Sequence, residues 1–151
     1  MPRYRCENCG FEDSLDKNLY FCPRCGDPLT IVYDEGELSA AKFEGRGVWR
    51  YRDVLPVSHE RAVTMNEGGT PLQRSVRLVR ELGIRDLRIK NEGLNPSGSF
   101  KDRGMTVGVT RALEINARSV ICASTGNTAA SLSAYAARAG LRAYVVVPHE
   151  S

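Results

Sequence analysis

The sequence predicts an α/β fold in two unequal parts: a small metal-stapled ribbon, then part of a parallel sheet with helices packed on it. Two Cys-x-x-Cys pairs near the N-terminus, Cys6/Cys9 and Cys22/Cys25, predict the ribbon. From Ser75 to Pro148, short apolar runs alternate with segments of helical period, which predicts the sheet. The apolar runs are near-continuous, as in strands covered on both faces. A chain of 151 residues has room for such a module plus part of a larger domain.

The ribbon comes first. Each cysteine pair makes a tight turn that aims two sulfurs at one point, and Gly10 and Gly26 follow the pairs to complete those turns. Four thiolates so arranged suit tetrahedral zinc, and the bonds would clamp hairpins too small to form a core alone. A zinc ribbon is therefore expected, with Cys6, Cys9, Cys22 and Cys25 as ligands and every coordination position closed by protein, so that the zinc is structural. A redox role would want a helix at either pair, and no helical pattern follows them. Cys122 lies in an apolar run and reads as a small buried hydrophobe.

The expected organisation is a ribbon at 1–35, a connector at 36–64 and part of a larger α/β domain at 65–151. The connector is polar and glycine-punctuated, and its Val48-Trp49-Arg50-Tyr51 segment is expected to pack against the larger part. Residues 68–72 read as a loop, Ser75–Leu82 as a helix stopped by Gly83, and Asp86–Lys90 as a strand. A loop at Asn91–Ser99 leads into a helix over about Phe100–Ile115. Val120–Ala123 is a strand, and Ala129–Ala139 is an alanine-rich helix ended by Gly140. Tyr144–Val147 is a third strand closed by Pro148.

Composition narrows the function classes. A 26% charged, 42% hydrophobic chain is expected to fold. No run approaches the ~20 apolar residues that cross a bilayer, and the first residues lack the apolar core of a secretory signal. A soluble cytoplasmic protein is expected, with no membrane partner. The net charge is +3, and the basic clusters at Arg46–Arg52 and Arg74–Arg88 are broken by apolar and acidic residues. They read as solvated faces, and no nucleic acid partner is expected.

In parallel α/β sheets, ligands bind beyond the carboxyl ends of strands, at loops entering helices. Two loops fit. Lys101 stands at the start of a helix, where the dipole disfavours a cation, and a Schiff base would explain a lysine there. Ser124-Thr125-Gly126-Asn127-Thr128 offers hydroxyls, an amide and helix N-terminal N–H groups, a set suited to a carboxylate or phosphate. On the residues alone, a solvated Lys101 and a Ser124 N-cap are the preferred readings of the two loops.

Ser97-Gly98-Ser99-Phe100-Lys101-Asp102-Arg103-Gly104 resembles the cofactor-lysine motif of fold-type II pyridoxal-phosphate (PLP) enzymes. The longer run Glu92–Met105 is most similar to threonine synthases. Ser124–Ser131 resembles the family loop beside the cofactor ring, and Glu67-Gly68-Gly69-Thr70-Pro71-Leu72 resembles the family's entry motif. Gly69 stands where many relatives have Asn, and Ala129 where many have Gly. An N-terminal zinc ribbon occurs in some threonine synthases.

The resemblance implies that Lys101 holds PLP and is the catalytic lysine, and that Asn127 hydrogen-bonds the ring hydroxyl. It implies that Ser124, Thr125 and Thr128 hold the substrate carboxylate. Phe100 is expected to pack beneath the lysine, and Asp102 and Arg103 are given no catalytic role, since a local ion pair explains them equally well. The implied reaction is O-phospho-L-homoserine plus water to L-threonine and phosphate, a PLP-dependent lyase reaction of threonine biosynthesis. The implied full-length protein is a homo-oligomer. The family's phosphate-binding glycine loop lies further on than Ser151, so the chain is expected to be an N-terminal fragment that lacks activity by itself. Cysteate synthase and threonine dehydratase remain alternatives within the family, and a non-catalytic zinc-ribbon binding module remains one outside it.

Overall fold

The structure is a computed structural model and describes residues 2–149. Its first part is a three-stranded antiparallel sheet of β1 (Arg3–Arg5), β2 (Glu12–Ser14) and β3 (Thr30–Val32), in the order β2-β1-β3. Each strand has three residues, too short to bury an apolar face. The connector contains a short helix, α1 (Glu35–Ala40), started by a capping box in which Asp34 and Glu37 each satisfy the other's backbone. It also holds a 3₁₀ segment, Val48–Val54.

The larger part begins with β4 (Leu72–Arg74), α2 (Val76–Leu82) and β5 (Arg88–Lys90). Then come α3 (Asp102–Glu114), β6 (Ser119–Ala123), α4 (Asn127–Ala139) and β7 (Arg142–Val146). Strands β6 and β7 pair in parallel, Ser119 opposite Arg142 through Ala123 opposite Val146, with α4 as the crossover. The expected third parallel strand goes elsewhere: β5 pairs antiparallel with β4, Leu72 opposite Lys90. Alternation of side chains makes 88–90 a strand but carries no information about its partner. The pairing continues where the Ser75 N–H donates to the Leu87 carbonyl, and Asp86 joins Arg74 and Arg88 at 3.1 and 2.9 Å.

The core is Val63, Val109, Leu132 and Tyr135, with Met65, Met105, Leu113, Val120 and Cys122 packed against it. A threonine ladder on α3 holds residues 49–63 to this core. Thr106 Oγ1 donates to the Val63 carbonyl and accepts from Trp49 Nε1, at 2.7 and 2.8 Å. Thr110 Oγ1 accepts the Val63 N–H at 2.9 Å. The expected contact of the Val48–Tyr51 segment with the larger part is therefore made through Trp49. Among the described residues, no helix is long and apolar enough to cross a membrane.

Candidate active site and metal centre

Lys101 is the N-cap of α3, and its carbonyl accepts the Met105 N–H at 3.0 Å, the first helical bond. Its own N–H donates to Ser99 Oγ at 3.2 Å. Its amine meets no carboxylate among the described residues and lies 4.7 Å from the Phe100 ring centroid, a cation–π contact. Phe100 is 55% exposed, so the expected core role is corrected. The lysine lies beside the ring, and the ring faces outward.

The second loop follows β6. The Ser124 N–H donates to the Val146 carbonyl and extends the parallel ladder, while Ser124 Oγ accepts the Gly126 N–H at 3.1 Å. The helix N-cap is Gly126, not Ser124, so Asn127 and Thr128 fall in the first turn of α4, two residues before the expected start. The side chains of Thr125, Asn127 and Thr128 have no hydrogen-bond partner among the described residues. The first-turn N–H groups of α4 likewise point at no acceptor, as at any helix N-terminus.

One buried carboxylate ties the two loops together. Asp102 has 0% exposure. It accepts the Ser97 N–H at 2.7 Å, a bond from the Ser97 hydroxyl, and the Ser131 hydroxyl at 2.5 Å. Ser131 is on α4, one turn beyond Asn127, and Asp102 directly follows Lys101. The Lys101 loop and the start of α4 are therefore joined through a single side chain whose acceptors are satisfied. The local ion pair between Asp102 and Arg103 is not formed. Successive helical residues point about 100° apart, which sends Arg103 to a different neighbour.

That neighbour is Glu92. Arg103 Nε and Nη2 reach the two Glu92 oxygens at 2.7 and 2.8 Å, a bidentate fork, and Thr70 Oγ1 donates to the same carboxylate at 2.6 Å. The Arg103 guanidinium first, and the Thr70 hydroxyl after it, hold the Glu92 carboxyl down at about 2. A carboxyl depressed in the folded state stabilises fully above its ordinary value of 4.5 and loses that contribution as pH falls through about 2. Glu92→Gln should therefore lower stability at pH 7 by about 1–3 kcal/mol. It should also flatten the loss of thermal stability between pH 5 and pH 2, read from melting curves of both proteins. Equal slopes would contradict the fork.

The entry motif is packed by the same groups. Gly68 donates its N–H to Asn95 Oδ1 at 2.8 Å and has φ of +80°. A Cβ there would lie 3.0 Å from both Arg103 Nη1 and the Val48 nitrogen, and the positive φ strains any other residue, so glycine is favoured. Glu67 is buried and accepts from Thr64 Oγ1, the Met65 N–H and, at 2.6 Å, the Tyr135 hydroxyl. Burial, and then the bond to Glu67, push the Tyr135 phenol up. The Asp102, Glu92 and Glu67 contacts were absent from the sequence reading. The Asp102–Ser131 and Glu67–Tyr135 bonds join residues 29 and 68 apart, in separate stretches of the chain, while Glu92 and Arg103, 11 apart, share one motif whose resemblance does not state their pairing.

The four N-terminal cysteines meet. Their Sγ atoms all lie within 4.8 Å of one another, with Cys6 to Cys25 and Cys9 to Cys22 at 3.5 Å. Tetrahedral zinc at a Zn–S distance near 2.3 Å requires sulfur edges of about 3.8 Å, so the donor set fits a metal ion. The two turns are built alike: the Gly10 N–H returns to the Cys6 carbonyl and the Gly26 N–H to the Cys22 carbonyl, at 3.0 and 2.9 Å.

Comparison with known proteins gives a consistent result. The model of a family described as pyridoxal-phosphate dependent enzyme matches residues 63–151. The threonine synthase of Methanocaldococcus jannaschii is 53% identical over 151 residues, covering 95% of this chain and 37% of that protein. The threonine synthase of Methanosarcina acetivorans is 47% identical over 152 residues, covering 98% of this chain and 37% of that one. A solved pyridoxal 5'-phosphate-dependent aspartate racemase matches with a TM-score of 0.52 at 34% identity, over 54% of this chain and 27% of its own. The chain thus spans little more than a third of the length of these two curated relatives.

Proposed function

This chain belongs to the pyridoxal-phosphate dependent enzymes, and from that premise we propose that the protein it is part of is a threonine synthase, converting O-phospho-L-homoserine and water to L-threonine and phosphate. The observation that carries the reading is that similarity to threonine synthases runs through the ribbon and both loops alike, over 95–98% of the chain. The geometry supports the cofactor half of it. An amine without a carboxylate partner and a set of unpartnered hydroxyls and an amide stand on two helix starts strapped by Asp102.

When bound, PLP supplies an electron sink for charge developing at the substrate α carbon. Lys101 would hold the cofactor covalently and, once released by the incoming substrate amine, carry protons at the α and β carbons. Asn127 would donate to the ring hydroxyl. Ser124, Thr125 and Thr128, with the free N–H groups of α4, would hold and orient the substrate carboxylate, which a helix N-terminus favours. Asp102 would act as a positioning residue, since its bond to Ser131 sets where Lys101 stands relative to Asn127. The organisation proposed with this is a ribbon at 1–35, a connector at 36–64 and a partial catalytic domain from 65 onward, with structural zinc on Cys6, Cys9, Cys22 and Cys25.

The test uses full-length protein loaded with PLP. O-phosphohomoserine should yield threonine and phosphate in equal amounts, while phosphoserine with sulfite should yield nothing. Turnover of the second pair alone would replace this reading with a cysteate synthase.

A further inference from the structure

Away from Lys101, a cavity of about 250 Å³ is lined by four cations, Arg46, Arg50, Lys90 and Arg103. No acidic side chain lines it. The four come from three separate stretches, the connector, β5 and α3, so sequence neighbourhood does not account for their meeting. The whole chain carries a net charge of only +3, which makes this local excess unusual.

Their partners are informative. Arg103 alone is neutralised, by Glu92. Lys90 Nζ donates to the Thr70 carbonyl at 2.6 Å, and Arg50 Nε donates to the Phe43 carbonyl at 3.1 Å. These neutral acceptors fix the side chains without cancelling their charge. Arg46 has no partner among the described residues. Arg52, in the same basic segment but outside the cavity, has carboxylates on both sides, Glu44 at 3.6 Å and Asp53 at 3.8 Å. Carboxylates thus flank Arg52, outside the cavity, and Arg103 within it, while Arg46, Arg50 and Lys90 pair with no carboxylate among the described residues.

Gathering like charges costs electrostatic energy that a bound anion would reverse. The wall between the cations is glycine, at Gly45, Gly47 and Gly69, which lets backbone approach a ligand closely. Tyr51 forms the rim, its ring 5.4 Å from that of Phe43.

We propose that this cavity binds a small phosphate-bearing anion, at a site separate from the one that Lys101 serves. Arginine forks match phosphate oxygens in pairs, and the cavity's size admits a phosphate group with a modest substituent. The site does not depend on the reading of Lys101. Because Arg103 lies in the first turn of α3, two residues from Lys101, occupancy would also bear on the placement of that turn.

The test is calorimetric titration of full-length, PLP-loaded protein with two probes, inorganic phosphate and adenosine monophosphate. Either probe should bind, more weakly as salt rises. Comparable affinities would mean that phosphate alone is recognised, and tighter binding of the nucleotide would mean that the Tyr51 rim takes a ring. The double variant Arg46→Ala/Arg50→Ala should weaken binding at least tenfold. Lys90→Gln on β5, distant in sequence, should weaken it separately and guards against misfolding of the connector. Thr125→Ala, in the proposed substrate loop, should leave this binding intact. Binding unchanged in both cation variants, binding lost only in Thr125→Ala, or no binding of either probe would overturn the proposal.

Discussion

Lys101→Ala in the full-length protein is expected to lower turnover by a factor of at least about 10³ while leaving the fold in place. The two halves of that statement rest on different observations. Lys101 is only half-buried, and its amine makes no hydrogen bond or ion pair among the described residues, only the contact with the Phe100 ring. Removing the side chain therefore opens no core cavity and orphans no buried partner. Alanine also keeps the N-cap carbonyl that starts α3, and Asp102 continues to hold Ser97 and Ser131. The chemistry has no such reserve, because no other lysine stands at either helix start. The variant should bind PLP weakly and without a covalent link, checked by dialysis followed by absorbance, and its melting temperature should stay within a few degrees of wild type. Undiminished turnover would exclude Lys101 from the reaction.

Removing the metal should have the larger effect on structure. Between residues 2 and 33 the only buried residues are Cys6 and Cys22, two of the four proposed ligands. Three strands of three residues cannot bury enough apolar surface to offset the entropy of ordering them. Zinc binding to such sites is worth on the order of 10 kcal/mol, and that free energy is folding free energy. Cys22→Ser, or a strong chelator, should release zinc and abolish amide protection in β1, β2 and β3. The same treatment should leave β6, α4 and β7 protected. Hydrogen exchange read by mass spectrometry, with metal content measured in parallel, checks both. A zinc-free protein that kept protected ribbon amides would contradict the account.

How much of this was legible in the sequence varies with the kind of interaction. The β6-α4-β7 unit was readable because its strands are apolar and its helix ends at a glycine, both local signals. The cysteine cluster was readable because ligand spacing is itself the signal. Helix α3 was placed correctly, but its buried face was not. That face carries Asp102, Thr106 and Thr110 beside Val109, so hydrophobic periodicity sees little of it. The partner of β5 was missed because a strand's alternation is the same whichever neighbour it takes. Helix α1 was overlooked within the connector, although Asp34-x-x-Glu37 is a capping-box pattern that would have found it. In the candidate site, motif resemblance singled out Lys101, Ser124, Thr125, Asn127 and Thr128, which the fold places at the starts of α3 and α4. Asp102, Ser131 and Glu92 lie within the same motifs, but the resemblance assigned them no contacts, and the Asp102–Ser131 bond joins two motifs that only the fold brings together.

The most direct measurement is chemical. Full-length protein incubated with PLP, reduced with borohydride and digested should yield one pyridoxyl-modified peptide, carrying the label on Lys101. Reduction that leaves Lys101 unlabelled, or labels a different lysine with equal yield, would contradict the assignment on which the proposed activity depends.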